Sequence, residues 1–202
     1  MNRPAAARDW PRWILLGLMA SALSLPWLDN PGASQTLNVM DLAEWSSLHP
    51  VVRATVPPLL APCLLRSLWV GVGALIAFMP SSRHGWWLRA ALVGLIAVAL
   101  LPPFEFFVSD REDMNYRQQL MLSIALVLIG GIGLSRRFES AHRRIQLAVV
   151  GIGAAFSLIG LWMSQGFMLE FGLPTNMGFG GVLFLVICSI FALAENRRGN
   201  FS

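Results

Sequence analysis

Apolar residues fall into six long runs along the chain, and short polar segments separate them. The runs cover about residues 13–28, 58–79, 86–103, 118–134, 145–165 and 177–194. Since a helix rises about 1.5 Å per residue, about 20 apolar residues cross the ~30 Å hydrocarbon core of a bilayer. None of the runs alternates between polar and apolar positions, as the strands of a membrane barrel do. The pattern predicts an all-α integral membrane protein, a six-transmembrane-helix bundle that forms a single domain over residues 1–202.

The composition agrees with a chain that lies largely in lipid. Hydrophobic residues make up 55% of the sequence and charged residues 13%, against about 25% charged residues in soluble domains. The formal net charge is +4, and every basic residue other than histidine is an arginine. These arginines lie mostly at the ends of the apolar runs rather than on one face. We therefore expect the lipid bilayer as a partner and no nucleic acid.

The arginines are divided unequally between the two sides that six crossings would create. One side receives eleven of them, whereas the other receives only Arg53, Arg111 and Arg117. The cytoplasmic loops of membrane proteins carry the excess of basic residues. The imbalance predicts a multi-pass protein of the cell inner membrane with its N- and C-termini in the cytoplasm. The eleven residues of the cytoplasmic side are Arg3, Arg8, Arg12, Arg83, Arg89, Arg136, Arg137, Arg143, Arg144, Arg197 and Arg198.

The first outer loop, residues 29–57, contains the pattern of a short helix. Asp41 and Glu44 have the spacing of a capping box, in which an N-cap acid is followed three residues later by a glutamate. Trp45 and Leu48 follow, and Pro50 ends the segment. Because tryptophan favours the membrane interface, the pattern predicts a short interfacial helix in this loop.

The second outer loop is the most polar interruption between two apolar runs. Glu105 lies among three phenylalanines, and charged residues occupy positions 110–113. A calcium loop of the EF-hand type needs acids at alternate positions followed by glycine, but here Arg111 intervenes and no glycine follows. Acids near a helix N-terminus complement its dipole, so we expect this loop to cap the fourth span. If the protein has a working site, we expect the loop to form part of it.

Arg66 is the one charged residue inside the second apolar run. An arginine near the middle of a span costs about 2.5–3.5 kcal/mol on insertion scales, so it normally faces the bundle interior and finds a partner. The second outer loop lies at the same end of the predicted bundle, so we hypothesise that Arg66 pairs with Glu105, or with Asp110. Arg66, Glu105, Asp110 and Arg117 form the candidate intramembrane ion pair or ligand site.

Small residues in the spans predict where helices approach closely. The fifth span places Gly151 four residues before Ala155 and Gly153 four residues before Ser157. Lipid supplies no hydrophobic force between helices, so contacts in a membrane are enriched in such small residues. The spacing predicts that the fifth span lies near the centre of the bundle.

The sequence contains no set of residues that indicates a cofactor, a metal or catalysis. His49, His84 and His142 all lie in loops or at span ends, where none can serve as the axial ligand of a haem inside the bundle. Cys63 and Cys188 are isolated within apolar runs and lack metal or redox spacing. No nucleophile, phosphate-loop or zinc-protease motif is present. We expect no cofactor, no metal and no enzymatic activity.

Two classes of function remain open. The missing catalytic residues favour a non-catalytic integral subunit of a larger membrane complex, which docks other membrane protein subunits. The alternative is a solute-binding transport component with an outward-facing site near Arg66 and Glu105. In architecture alone, six spans in 202 residues resemble the substrate-capture subunits of energy-coupling-factor importers, and that resemblance implies solute binding.

Overall fold

Helices make up most of the chain in the computed structural model, which describes residues 6–30, 35–80, 85–135 and 141–199. The six longer helices are α1 (Ala6–Ser24), α4 (Leu60–Ala77), α5 (Gly85–Ala99), α7 (Met114–Leu134), α8 (His142–Glu170) and α9 (Phe179–Gly199). The three shorter ones are α2 (Val39–Ser47), α3 (Pro50–Ala54) and α6 (Glu105–Val108). Three short strands complete the described fold: β1 (Leu28–Asn30), β2 (Gln35–Leu37) and β3 (Asn176–Met177).

Four of these helices are long and apolar enough to cross a membrane, namely α4, α7, α8 and α9. Helix α5 is equally apolar but has only 15 residues. The predicted all-α class is therefore confirmed, and the apolar helices identify a membrane protein in contact with lipid.

Helix α4 is the centre of the bundle. In its apolar window 67% of the residues are buried inside the protein, against 28% in α8, and it packs against α1, α2, α5, α7 and α8. The prediction that the fifth span is central is therefore wrong. Of the small residues on which it rested, Ser157 is buried, but Gly151 and Ala155 are exposed, and no described atom lies within 4 Å of the position that a Cβ would take on Gly151 or Gly153. On α4, by contrast, Gly73 lies directly against Leu126.

Side-chain contacts join the starts of α1, α5 and α8 to the ends of α4, α7 and α9, a region that we call the arginine-rich end. The contacts are Arg12 to Glu195, Gln146 to the carbonyl of Phe78, and Trp86 to the carbonyl of Leu134. Arg89 is buried at this end, and its guanidinium donates hydrogen bonds to the carbonyl oxygens of Ala77 and Met79. A cation there satisfies the last carbonyls of α4 and complements the negative end of its dipole.

A small sheet closes the opposite end, which we call the sheet end, and it is not predicted by the apolar pattern. The strand order is β2-β1-β3, and both pairings are antiparallel, with Leu28 opposite Leu37 and Met177. Next to it, Trp27 is fully buried and its indole donates a 2.9 Å hydrogen bond to the carbonyl of Ala22. The sheet thus fastens the segment after α1 to the start of α9.

The predicted helix in the first outer loop is present as α2, but its cap lies three residues earlier than predicted. Asn38 is the N-cap, and its side-chain oxygen accepts hydrogen bonds from the backbone N–H groups of Met40 and Asp41 at 2.8 and 3.1 Å. Asp41 completes the capping box as its third helical residue. One face of α2 is buried against α4 while Trp45 is exposed. Glu44 is therefore not part of the capping box, although we predicted that it would be.

The close approach of α9 to the chain after α1 predicts a sharp sensitivity at Gly180. A Cβ there would lie 2.6 Å from Cδ1 of Trp27 and 2.9 Å from the backbone oxygens of Ala22 and Pro26. We expect Gly180→Ala to lower the free energy of unfolding by about 1–3 kcal/mol, because a packed backbone must move. The midpoint of thermal unfolding in a mild detergent measures this.

The matched control is Gly151→Ala, whose new methyl group meets no atom within 4 Å. Alanine is the better helix former, so this variant should be as stable as the parent protein or slightly more stable. Equal unfolding midpoints for the two variants would contradict the packing described for Gly180.

Candidate functional site

Arg66 lies on the buried face of α4, near the sheet end, and only 1% of its side chain is exposed. Its Nη2 donates a 2.7 Å hydrogen bond to Oε2 of Glu44. Its Nη1 donates to Oδ1 of Asn115 at 2.6 Å and lies 3.4 Å from Oε1 of Gln118. Within the described residues, Nε has no hydrogen-bond partner. Three elements, α2, α4 and α7, therefore meet at one guanidinium group.

The pair between Arg66 and Glu44 lies at the surface of the bundle. The side chain of Glu44 is 51% exposed, whereas that of Arg66 is buried. Removing a partner from a buried charge is costly because the remaining charge stays desolvated. The half-exposed carboxylate supplies the negative charge without being fully desolvated itself. This arrangement lets an apolar helix carry an arginine.

The hypothesis that Arg66 pairs with Glu105 or Asp110 is corrected by this geometry, since the partner is Glu44. Glu105 is the first residue of the short helix α6 and is exposed, and Asp110 is exposed in the loop that follows. Among the described residues, neither carboxylate makes an ion pair. The α2 helix packs directly against α4 and brings Glu44 to Arg66, so the more distant loop is not needed.

Arg117, the fourth predicted site residue, also lies outside the Arg66 cluster. Its Nη2 donates to Oε2 of Glu112 at 2.6 Å, and its Nε donates to the carbonyl of Arg111 at 2.7 Å. Both side chains of the ion pair are substantially exposed, so the pair contributes little stability. Arg117 orders the second outer loop locally instead of meeting Arg66.

Asp113 explains how α7 presents its polar residues to Arg66. It is the N-cap of α7, and its Oδ1 accepts hydrogen bonds from the N–H groups of Asn115 and Tyr116 at 2.8 and 3.2 Å. Its Oδ2 lies 3.2 Å from Nη1 of Arg53. The prediction that the acidic loop caps this helix is confirmed, although the helix begins at Met114. Capping fixes the first turn of α7, and that turn holds Asn115.

Gln118 links the guanidinium group to an unusual backbone position. Its Nε2 donates a 3.1 Å hydrogen bond to the carbonyl oxygen of Leu59, the residue before α4. Leu59 is buried and has a φ of +56°, a left-handed conformation that a bulky side chain rarely adopts. Such strain persists only where surrounding contacts hold it, and here Gln118 provides one of them. The start of α4 is therefore fixed by the same residues that contact Arg66.

An open cavity of about 520 Å³ lies beside this cluster at the sheet end. Its charged lining consists of three carboxylates and one guanidinium. Asp113 pairs with Arg53 and Glu112 with Arg117, so Asp110 is the carboxylate of the lining without an ion pair among the described residues. Asp113 belongs both to this cavity and to the cap of α7, which places the cavity next to the Arg66 cluster. The residues that line it are Arg53, Ser109, Asp110, Glu112, Asp113, Met114 and Tyr116.

The three partners of Arg66 are the residues that the sequence analysis missed. Asn115 and Gln118 are three residues apart on a helix and therefore share a face, directly after the capping residue Asp113. Two amides at that spacing ahead of an apolar run are a signal that could have identified them. Glu44 carries no comparable signal, because the spacing from Asp41 suggests a cap.

The two histidines that the structure describes, His49 and His142, lie at the starts of helices. His49 is the N-cap of α3, where its Nδ1 accepts a 3.1 Å hydrogen bond from the N–H of Val51. Its Nε2 lies 3.8 Å from Oε2 of Glu170. His142 is the first residue of α8, and His84 lies outside the described residues. Across residues 6–30, 35–80, 85–135 and 141–199, no three histidine, cysteine or acidic side chains form a metal-binding group.

Comparison with known proteins adds no family to this picture. No family model matches the sequence, and neither a curated protein nor a solved structure matches it.

The Arg66 cluster predicts unequal effects of two conservative substitutions. Glu44→Gln keeps the shape of the side chain but removes the charge that faces Arg66, so we expect a loss of about 1–3 kcal/mol in unfolding free energy. This is less than the about 3–5 kcal/mol of a fully buried pair, because Glu44 is half exposed. Denaturant unfolding in detergent measures the change.

Glu105→Gln is the matched control, because Glu105 is exposed and makes no ion pair with the described residues. Its effect should stay within about 0.5 kcal/mol, as for other surface substitutions. A larger loss from Glu105→Gln than from Glu44→Gln would restore Glu105 as the partner of Arg66.

Proposed function

We propose that this protein is a six-span, non-catalytic subunit of a larger complex in the inner membrane, with both termini in the cytoplasm, and that it docks other membrane subunits through α8. The observation that carries the proposal is the outward-facing pair of small residues Gly151 and Ala155. Both are exposed on α8, and no atom of the protein lies within 4 Å of a Cβ built on Gly151.

A glycine that no other residue packs against weakens its helix without a gain in packing. Glycine in a helix interior costs about 0.5–1 kcal/mol relative to alanine, and inside a protein that cost is offset where the glycine allows close packing. Gly160, on the same helix, has this compensation because it lies against Leu64 and Leu65 of α4. Gly151 has none among the described residues. A helix of another subunit at the Gly151–Ala155 face would supply it, since small residues four apart allow two backbones to approach closely.

The contacts of Arg66 support a structural role for this residue, the one arginine of α4. Its two terminal nitrogens are engaged by Glu44, Asn115 and Gln118, and its side chain is 1% exposed. A solute would have to displace these partners before it could bind the guanidinium group. We assign the cluster to holding α2 and α7 on α4.

The open cavity at the sheet end favours the second candidate, a solute-binding transport component. In that case the solute site is the acidic cavity beside Asp110 rather than Arg66 and Glu105. Asp110, the carboxylate of the lining without an ion pair among the described residues, would attract a cationic or amine solute. The two candidates differ in the behaviour of the native protein, because a transport component of this kind binds its solute without a partner at Gly151.

The number of crossings and their direction can be tested by cysteine labelling. Six crossings with cytoplasmic termini place Glu112 outside and Asn196 inside. In a background with Cys63 and Cys188 replaced by alanine, we expect a membrane-impermeant maleimide to label Glu112→Cys on intact cells. It should label Asn196→Cys only after the membrane is opened. The reverse result, or labelling of both on intact cells, would contradict the arrangement.

Partner docking is tested by Gly151→Leu in native membranes solubilised in mild detergent. We expect the parent protein to migrate with other membrane subunits in fixed stoichiometry, and the variant to migrate alone. The large side chain blocks the close approach of another helix, while its Cβ has no described atom within 4 Å outside its own helix backbone. Size on native electrophoresis, with subunits identified by mass spectrometry, gives the measurement.

Gly94→Leu on α5 is the control for this experiment. It introduces the same bulk at another exposed glycine with no atom within 4 Å of its Cβ position, but its residue four positions onward is Val98 rather than a small one. It should leave the migration unchanged. A parent protein that migrates as a monomer would overturn the docking proposal and favour the solute-binding candidate.

A further inference from the structure

The arginine-rich end carries guanidinium groups that the described protein does not neutralise. Arg144, in the first turn of α8, and Arg197, in the last turn of α9, are exposed. Neither has a hydrogen-bond or ion-pair partner among the described residues. At the sheet end, by contrast, every arginine is engaged by a carboxylate or a carbonyl oxygen, namely Arg53, Arg66, Arg111 and Arg117.

The start of α8 and the end of α9 are held side by side. Nε of Arg143 donates a 3.0 Å hydrogen bond to the carbonyl oxygen of Glu195, and its Nη2 lies 3.4 Å from that of Asn196. These contacts bring the two helix ends into one basic patch, which we define as Arg143, Arg144 and Arg197. Because like charges on adjoining helix ends repel one another, an anion near the three arginines would stabilise this end.

Glu195 does not supply that anion. Its side chain is 2% exposed, and Arg12 binds both of its oxygens at 2.6 Å in a bidentate pair. Arg198 lies 3.7 Å from the same carboxylate. Glu195 is the one carboxylate of this end whose side chain the structure describes, and it is already used to join α1 to α9.

Exposed tryptophans mark the depth of this end. Trp10 of α1 is 59% exposed and Trp87 of α5 is 72% exposed, and both lie in the first turns of helices that start at the arginine-rich end. Tryptophan is enriched at the level of the lipid headgroups. Leu193, 62% exposed, lies less than one turn before Glu195 on α9, so the exposed surface becomes apolar directly beside the patch. This pattern is typical of helix ends at the level of the lipid headgroups.

We propose that the basic patch binds the phosphate of an anionic phospholipid headgroup, with Arg144 and Arg197 as its main donors and Arg143 fixed beside them. A guanidinium group presents paired N–H donors that match two phosphate oxygens. Anionic lipids attract basic residues at the cytoplasmic surface, and basic pockets between helices bind their headgroups. The inference needs only that α8 and α9 end at a lipid surface; it does not depend on partner docking through Gly151.

The test compares lipid retention by the purified full chain in a neutral detergent. Native mass spectrometry, with phosphatidylglycerol or phosphatidylcholine added at matched concentrations, gives the affinity for each lipid. We expect a preference for phosphatidylglycerol that the double variant Arg144→Gln/Arg197→Gln reduces by roughly 25-fold, about fivefold for each arginine removed. The preference should also fall as the salt concentration rises.

The matched control is Arg111→Gln/Arg117→Gln, which removes two exposed arginines from the sheet end and should keep the preference. Thermal unfolding of each variant shows that it is folded. The proposal is overturned if the parent protein retains both lipids equally, or if the Arg144/Arg197 variant keeps its preference. It is also overturned if soluble glycerol phosphate competes as well as the lipid, because the patch would then be a site for free phosphate.

Discussion

The desolvated charge of Arg66 is the constraint on which the arrangement of the sheet end depends. A guanidinium group on the central helix of a membrane bundle cannot be left alone, and α4 has no acid of its own to pair with it. Glu44 comes from α2, and Asn115 and Gln118 come from the first turns of α7. One cation thereby orders two separate segments. These contacts add to the apolar packing of α2 on α4 and fasten the start of α7 to the same group.

The two ends of the bundle differ in how their arginines are paired. At the sheet end, arginines are matched by carboxylates within the chain, as in the pairs of Arg53 with Asp113 and Arg66 with Glu44. At the arginine-rich end, the buried arginines serve helix ends and joints, whereas Arg144 and Arg197 remain exposed toward solvent or lipid. The larger number of arginines at this end is the feature on which the proposed orientation in the bilayer rests. The exposed arginines are then available to an external anion.

Much of the local structure could be predicted from the sequence, because it depends on neighbours along the chain. The helix after Asn38, the cap at the start of α7 and the apolar helices themselves follow from periodicity and from capping residues. The partner of Arg66 and the identity of the central helix could not be predicted in the same way. Both depend on which helix faces lie inside, and an apolar residue has the same pattern whether it faces lipid or protein. Glycine spacing on α8 was for that reason a poor guide to the centre.

In a membrane helix, the neighbours of the glycines show which face packs against protein, whereas the hydrophobicity of the helix does not. On α8, Gly160 lies against Leu65 of the same chain while Gly151, two and a half turns earlier, has no neighbour within 4 Å. Both residues weaken the helix by a similar amount, but only Gly160 is compensated within the described chain. In lipid no hydrophobic force favours one face over another, so the docking proposal rests on an uncompensated glycine with a small residue four positions away. Arg144 and Arg197 are likewise exposed cations without a partner among the described residues, and the proposed anionic headgroup would neutralise them.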